Sequence, residues 1–219
     1  MTKIKVLIID YELGNLSSVF NAIQKLGYKP KISSNREDIH SADAYILPGV
    51  GAFGEAMSNI NRLGFIDTLK EQVLIRKKPL LGICLGMQIL AKDSQESGFN
   101  KGLGWVNGHV IALKSDNDFK VPHVGWNDIK VIRESPLFLN IPMTELNFYF
   151  DHSFYISGEE EHVSSTCFHK EAVTTSIQVE NIFGTQFHPE KSQNNGLRIL
   201  RNFLNLAEES AKNTKNMEQ

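Results

Sequence analysis

In the first ninety residues, runs of consecutive apolar residues alternate with segments of helical periodicity. This alternation restricts the possible folds more than any other feature of the sequence. The runs are rich in branched aliphatic residues, as expected for strands that are covered on both faces; they are KIKVLIID (3–10), ADAYILPG (42–49) and KPLLGIC (78–84). Helical spacing follows them over 14–27, over 55–77 with a break around Gly64, and after Cys84. This order predicts an α/β domain with a doubly wound, mostly parallel sheet flanked by helices.

The second half of the chain has a different pattern, in which short strand-like runs are separated by turn residues. Such runs are typical of antiparallel pairing; they lie at 108–114, 121–132, 146–157, 163–169, 172–180 and 181–187. An amphipathic pattern over 196–210 predicts a closing helix. We therefore expect a single domain over 1–207, with antiparallel strands added to the same sheet, and a polar C-terminal tail over 208–219.

Charge and cysteine content exclude several classes of function. The formal net charge of the 219 residues is −2 without a block of like charge, and no apolar run approaches the roughly 20 residues that span a bilayer. We expect neither nucleic acid nor membrane as a partner. Two cysteines are too few for a disulfide framework, which favours a cytoplasmic protein with free thiols. His40, His109, His162 and His169 show no zinc-ligand spacing with Cys167, so we expect no metal site.

One of the two cysteines lies in GICLG (82–86), between a predicted strand and a predicted helix. The G-x-C-x-G pattern is the thiol counterpart of the nucleophile elbow, in which glycines relieve crowding at a sharp strand-to-helix turn. The N-terminal amides of the next helix would favour the thiolate of Cys84, which is the nucleophilic form. The alternative is a small apolar core residue, because free cysteine is often buried.

A nucleophilic cysteine needs a base, and the segment GTQFHPEKS (184–192) offers one. His188 and Glu190 are two residues apart and would face the same way on an extended segment, which Pro189 favours at His188. The imidazole could then reach the sulfur while the carboxylate orients it, as in a Cys-His-Glu triad. The alternative is a solvated strand end with an incidental carboxylate.

The glycine-rich segment PGVGAFG (48–54) follows a predicted strand. Loops at the carboxyl ends of neighbouring parallel strands lie side by side, so we expect it to lie beside the elbow. Amides of Val50 or Gly51, together with the amide of Leu85, are the candidates for an oxyanion hole. An ordinary glycine-rich turn is the alternative.

Taken together, these segments resemble the class I (triad) glutamine amidotransferases. GICLGMQ (82–88) is similar to the nucleophile segment of that class, and QFHPEKS (186–192) to its histidine segment. Within the class, the chain is similar over nearly its whole length to the glutaminase subunits of imidazole glycerol phosphate synthase. LPGVGAFGEAM (47–57) and KVPHVGWN (120–127) are the specific segments, since amidotransferases in general share only the other two.

The resemblance implies that Cys84 attacks the side-chain amide of glutamine, that His188 protonates the leaving ammonia, and that water then releases glutamate. It also implies a substrate pocket, formed by Gln88, Glu96, Gly51 and the backbone around His152, Ser153 and Phe154. No cofactor is implied.

The same resemblance implies a heterodimer with a cyclase subunit that folds as a (β/α)8 barrel. Ammonia would pass to that subunit, which would form imidazole glycerol phosphate and aminoimidazole carboxamide ribotide in histidine biosynthesis. The residues implied at or near the interface are Asn15, Trp126, Tyr149 and Lys191.

Three residues depart from the family pattern: Glu12 replaces the usual glycine, Asp151 an apolar residue, and Thr185 the usual valine. We expect the two acidic residues near the partner-facing side. These acidic residues leave open the alternative that this chain is a paralogous subunit, one that supplies ammonia for making amidino sugars of surface polysaccharides. Two further alternatives are a free-standing thiol hydrolase or peptidase and a catalytically silent docking module.

Overall fold

Thirteen strands and six α-helices make up the part of the chain that the structure, a computed structural model, describes: residues 4–142, 144 and 146–217. The strands are β1 Val6–Ile9, β2 Lys31–Ser33, β3 Ala44–Gly49, β4 Leu80–Cys84, β5 Asp93–Ser94, β6 Asn100–Lys101, β7 Gly108–Ala112, β8 His123–Val131, β9 Asn147–His152, β10 Phe154–Gly158, β11 Val163–His169, β12 Glu171–Val179 and β13 Ile182–Thr185. The helices are α1 Leu16–Lys25, α2 Arg36–Ser41, α3 Phe53–Leu63, α4 Ile66–Lys70, α5 Leu85–Gln88 and α6 Gln193–Met217.

Nine of the described strands form one sheet, in the order β2-β1-β3-β4-β13-β12-β11-β8-β9. Pairing is parallel from β2 to β13 and antiparallel from β13 to β9. The α/β sheet with antiparallel additions is therefore confirmed. However, not every later strand joins it, because β10 and β7 form a second sheet with β5 and β6. The chain changes sheets at Ser153, between β9 and β10, within a segment whose sequence pattern is that of one continuous strand.

Both faces of the main sheet are covered, as the continuously apolar strands predict. Side chains of β1 alternate between the faces: Val6 and Ile8 belong to a core shared with α1 and α6, whereas Leu7 and Ile9 belong to a core shared with α3, α4 and α5. All four are almost fully buried. The carboxyl ends of the parallel strands are thus held at one edge of a sheet that is packed on both sides.

Several helices differ from the predicted ones. The break at Gly64 is confirmed, since its left-handed conformation (φ +68°) ends α3. β2 and α2 were not predicted, because each is short and only partly buried. The helix after Cys84 is a single turn rather than the longer one expected, and α6 continues to Met217, into the segment where a tail was expected. None of the described helices is long and apolar enough to cross a membrane.

Candidate active site

Cys84 is the last residue of β4 and has a strained backbone, with φ +53° and ψ −113°. The two flanking glycines allow this turn. A Cβ atom on Gly82 would lie 2.7 Å from the carbonyl oxygen of Gly86, and one on Gly86 would lie 1.7 Å from the carbonyl oxygen of Leu47. The predicted sharp elbow is therefore present, and both glycines are required for steric reasons.

The three segments singled out in the sequence meet because β3, β4 and β13 are neighbours in the sheet. Gly49 at the end of β3 pairs with Cys84, and Thr185 at the end of β13 pairs with Ile83. The PGVG loop and the histidine segment therefore leave the sheet on either side of the cysteine. The expectation that the glycine-rich loop lies beside the elbow is confirmed.

Only one helical turn, α5, follows the cysteine. We expected a longer helix whose amides would favour the thiolate. A helix of four residues has a small dipole, so the charge environment of the sulfur depends mainly on nearby side chains and backbone groups.

His188 and Glu190 are buried beside the elbow, with side chains 2% and 1% exposed, and His188 Nδ1 lies 2.9 Å from Glu190 Oε1. The geometry differs from the predicted extended segment, because Pro189–Lys191 forms a 3-10 turn after His188. His188 itself is extended, as a residue before proline should be. The proline-led turn, rather than strand alternation, brings the carboxylate to the imidazole.

The imidazole of His188 also interacts with the sulfur. Burial lowers the pKa of His188, but its interactions with Cys84 and Glu190 outweigh burial and raise the pKa to about 10. His188 Nε2 is buried and makes no hydrogen bond of regular geometry within the described part of the chain. Nε2 is therefore available to interact with the sulfur of Cys84 and to exchange a proton with a bound substrate.

Two further groups contact the sulfur, and sequence reasoning found neither. The thiol of Cys84 donates a hydrogen bond to the carbonyl oxygen of Asp151 at 3.8 Å, and Gln186 Nε2 donates to the sulfur at 3.6 Å. Gln186 is fully buried. Its only sequence signal is an amide side chain in an apolar strand end, two residues before His188.

A cavity of about 330 Å³ opens above Cys84. It is lined by all the residues predicted for the oxyanion hole and the substrate pocket: Val50, Gly51, Leu85, Gln88, Glu96, His152, Ser153 and Phe154. Pro122 and Asp151 complete the lining and were not predicted there. Glu96 accepts a hydrogen bond from the backbone N–H of Phe53 at 2.8 Å, which ties its carboxylate to the start of α3.

Three of the four residues expected at a partner interface lie together on the edge strand β9 and next to it. Trp126 in β8 is 46% exposed, and its ring packs edge-on against the ring of Tyr149, its partner in the β8–β9 pair. Lys191 Nζ lies 5.4 Å from the centre of the Tyr149 ring. Asn15 is not part of this group of side chains; its own side chain caps the N-terminus of α1. We call Trp126, Tyr149 and Lys191 the edge cluster.

The structure shows the surroundings of the three residues that depart from the family pattern. Glu12 has φ +69°, a conformation that favours glycine, and its carboxylate forms an ion pair with Arg62 of α3. Asp151 is exposed at the mouth of the cavity. Thr185 is fully buried, and its hydroxyl has no hydrogen-bond partner among the described residues; nothing in the structure explains this substitution.

The other buried histidines and the second cysteine are unlike the triad. Burial and neighbouring histidines lower the pKa of His123 to about 4 and that of His152 to about 3, so both rings are neutral near pH 7. Burial raises the pKa of Cys167 to about 12, which keeps it a thiol. It lies in β11, as the sequence predicted for a sheet residue.

Comparisons with known proteins agree with this geometry. Residues 7–207 match the family model described as "Glutamine amidotransferase class-I". The chain is 47% identical over 201 residues to imidazole glycerol phosphate synthase subunit HisH 1 of Campylobacter jejuni (strain RM1221), with 92% of this chain and 100% of that protein covered. It is 40% identical to subunit HisH 2 of Pseudomonas aeruginosa PAO1, with 92% and 99% covered.

Solved structures with the same fold are more distant in sequence. PurLQS from Thermotoga maritima superimposes with a TM-score of 0.71 at 18% identity, covering 94% of this chain and 99% of that one. A glutamine amidotransferase from the same organism gives a TM-score of 0.61 at 17% identity, with 98% and 86% covered. At these identities the likeness concerns the fold.

Proposed function

The chain belongs to the class-I glutamine amidotransferases and, within them, to the HisH subunits of imidazole glycerol phosphate synthase, and on this basis we propose how its site works. The protein is a glutaminase subunit that hydrolyses glutamine to glutamate and ammonia, in histidine biosynthesis. The observation that carries the proposed mechanism is a cysteine at a strained elbow, on the strand next to the one that leads into a buried imidazole, which a carboxylate orients.

Glutamine binding uses the charged and polar lining of the cavity. Its side-chain amide lies against Cys84, and its α-ammonium group is attracted to the carboxylate of Glu96. Gln88 and the backbone around His152–Phe154 hold the rest of the substrate. The volume of about 330 Å³ suits one small polar molecule.

The first half of the reaction forms a thioester. The sulfur of Cys84 bonds to the amide carbon, and the carbonyl oxygen becomes an oxyanion that the amides of Leu85 and of Val50 or Gly51 stabilise. The imidazolium of His188 then gives its Nε2 proton to the amide nitrogen, the carbon–nitrogen bond breaks, and ammonia leaves.

The second half uses the same imidazole as a base. In the thioester the sulfur carries no charge, so the interaction that raises the pKa of His188 weakens while burial continues to lower it. Neutral His188 takes a proton from water as the oxygen attacks the thioester carbon. The carbon–sulfur bond then breaks, glutamate is released, and the sulfur returns to its starting state.

The ammonia is used by a partner. This chain offers one reaction centre and no second cavity of comparable chemistry among its described residues, which favours an acceptor outside this chain. We propose that the acceptor is the cyclase subunit, with a (β/α)8 barrel fold. Direct transfer has a chemical reason, because ammonia released into neutral solution is mostly protonated and then cannot act as a nucleophile. We place this complex in the cytoplasm, where free thiols are stable.

Substituting the nucleophile tests this function. We expect Cys84→Ala, mixed with the histidine-pathway cyclase and its substrate, to lose glutamine-dependent product formation but to keep the reaction driven by added ammonium salt. Cys167→Ala is the matched control and should keep both. Normal glutamine consumption by the Cys84→Ala complex would refute the assignment. Failure of that cyclase to respond to the wild-type chain would favour a paralogous partner instead.

A further inference from the structure

We infer that Gln186 is a further catalytic residue of this site, which acts by donating a hydrogen bond to the sulfur of Cys84. This inference deepens the proposed function, since it concerns the same nucleophile. Gln186 Nε2 lies 3.6 Å from Cys84 Sγ, within the range for a hydrogen bond to sulfur, and both residues are buried.

The backbone fixes where the Gln186 side chain starts. Gln186 directly follows β13, the neighbour of β4, and its backbone N–H donates to the carbonyl oxygen of Thr175 at 2.8 Å. Residue 185 pairs with residue 83 across the two strands, so the next residue along lies beside Cys84. The side-chain amide of Gln186 therefore reaches the sulfur from the neighbouring strand β13.

A second glutamine fixes which way the amide of Gln186 faces. Gln88 Nε2 donates to the carbonyl oxygen of Phe154 at 2.7 Å and to Gln186 Oε1 at 3.1 Å. With its oxygen held by that donor, Gln186 can present only its NH2 group to the sulfur. Both N–H groups of Gln88 are used, so its own oxygen remains as an acceptor for a molecule in the cavity.

The contacts of the Cys84 sulfur with Asp151 and with Gln186 have opposite effects on the equilibrium between thiol and thiolate. The carbonyl oxygen of Asp151, 3.8 Å away, accepts a hydrogen bond from the thiol and would repel a thiolate. The N–H of Gln186 does the reverse, because a donor interacts more strongly with an anion than with a neutral thiol. Removing the amide would leave only His188 to oppose the carbonyl and would shift the balance toward the thiol, which is the unreactive form.

The rate of alkylation of Cys84 by iodoacetamide, followed by mass spectrometry over a series of pH values, tests this role. We expect Gln186→Met, which keeps the side-chain size, to move the half-maximal rate to higher pH by about one unit. Gln72→Met is the matched control, since Gln72 is also buried but bonds to His40 on a distant helix; its profile should match wild type.

Gln88→Met provides a second test that does not alter Gln186 itself. Without its donor, the Gln186 amide is free to rotate, so the profile should move in the same direction. The double variant should shift no further than Gln186→Met alone, because both changes remove one interaction. Gln88→Met alone also decides the matter if Gln186→Met fails to fold.

An unchanged alkylation profile in folded Gln186→Met, or in Gln88→Met, would overturn the inference and leave Gln186 a packing residue. The measurement requires neither glutamine nor a partner, so it remains decisive even if the proposed glutaminase function fails. With glutamine as substrate, kcat/KM of Gln186→Met should fall by about tenfold, which the control should not show.

Discussion

His188 is the side chain whose chemistry depends most on its neighbours. Burial alone would keep its imidazole neutral, whereas the sulfur of Cys84 and the carboxylate of Glu190 raise its pKa to about 10. The ring can then serve as acid before the thioester forms and as base afterwards, because only the charge on the sulfur changes between the two steps.

This dependence gives a prediction at the residue scale. In Cys84→Ala the imidazole keeps Glu190 but loses the sulfur, so the pKa of His188 should fall from about 10 by about one unit or more. NMR titration of the ring protons measures it, with Cys167→Ala as a control that should titrate like wild type. An equal pKa of His188 in Cys84→Ala and in the wild type would show that the sulfur does not raise the pKa of the imidazole.

At the scale of elements, the antiparallel pair β8–β9 forms one wall of the site. His123 and His152 stand opposite each other in this pair, and His123 Nδ1 lies 3.0 Å from His152 Nε2. His152 Nδ1 donates to the carbonyl oxygen of Phe154, so two neutral rings link the strand pair to the cavity. A proton on His152 Nε2 would remove the acceptor for His123 Nδ1, and a proton on His123 Nε2 would remove the acceptor for Asn127 Nδ2.

The β8–β9 wall should therefore weaken in acid. An unfolded histidine titrates near 6.5, whereas folded His123 resists protonation down to about 4. As pH falls from 6.5 toward 4 the unfolded chain binds protons that the native chain does not, so the free energy of unfolding falls. In urea titrations at several pH values, His123→Gln should show a weaker acid dependence, while the exposed His40→Gln should not. Equal acid slopes for His123→Gln and wild type would contradict this.

The sequence predicted those elements whose pattern follows from burial. β1, β3 and β4 are apolar on both faces, and the elbow glycines are required by the close approach of backbone atoms at Gly82 and Gly86. The pattern did not reveal that β10 joins a second sheet, since that depends on a bend at Ser153. It also did not reveal Gln186, because a contact with the sulfur depends on the β4–β13 register rather than on local sequence.

At the scale of the whole molecule, the edge cluster connects the exposed end of the sheet with the triad. The carbonyl oxygen of Tyr149 accepts the backbone N–H of His188 at 2.9 Å, and the N–H of Tyr149 donates to Ser192 Oγ at 3.0 Å. Ser192 in turn donates to the carbonyl oxygen of His188 at 2.7 Å. A partner bound at this edge would therefore contact the strand that holds the catalytic segment.

Trp126 is the part of the edge cluster best suited to anchor a partner. Exposed tryptophans are frequent hot spots, so Trp126→Ala should weaken binding of the cyclase by about tenfold or more. Ile75→Ala is the control: Ile75 is 72% exposed but precedes β4, at the opposite end of the strand from Cys84. Calorimetric titration measures both. Equal affinities for the two variants would place the interface elsewhere.

The proposed reaction requires that Cys84 becomes covalently acylated by the glutamyl group of glutamine. Acid quenching of the complex during turnover, followed by mass analysis of the peptide that contains Cys84, tests this directly. We predict a glutamyl adduct on that peptide, absent from Cys84→Ala and lost again when glutamine is exhausted. Steady glutamine hydrolysis with Cys84 unmodified at every quench time, and an unaffected rate in Cys84→Ala, would contradict the account.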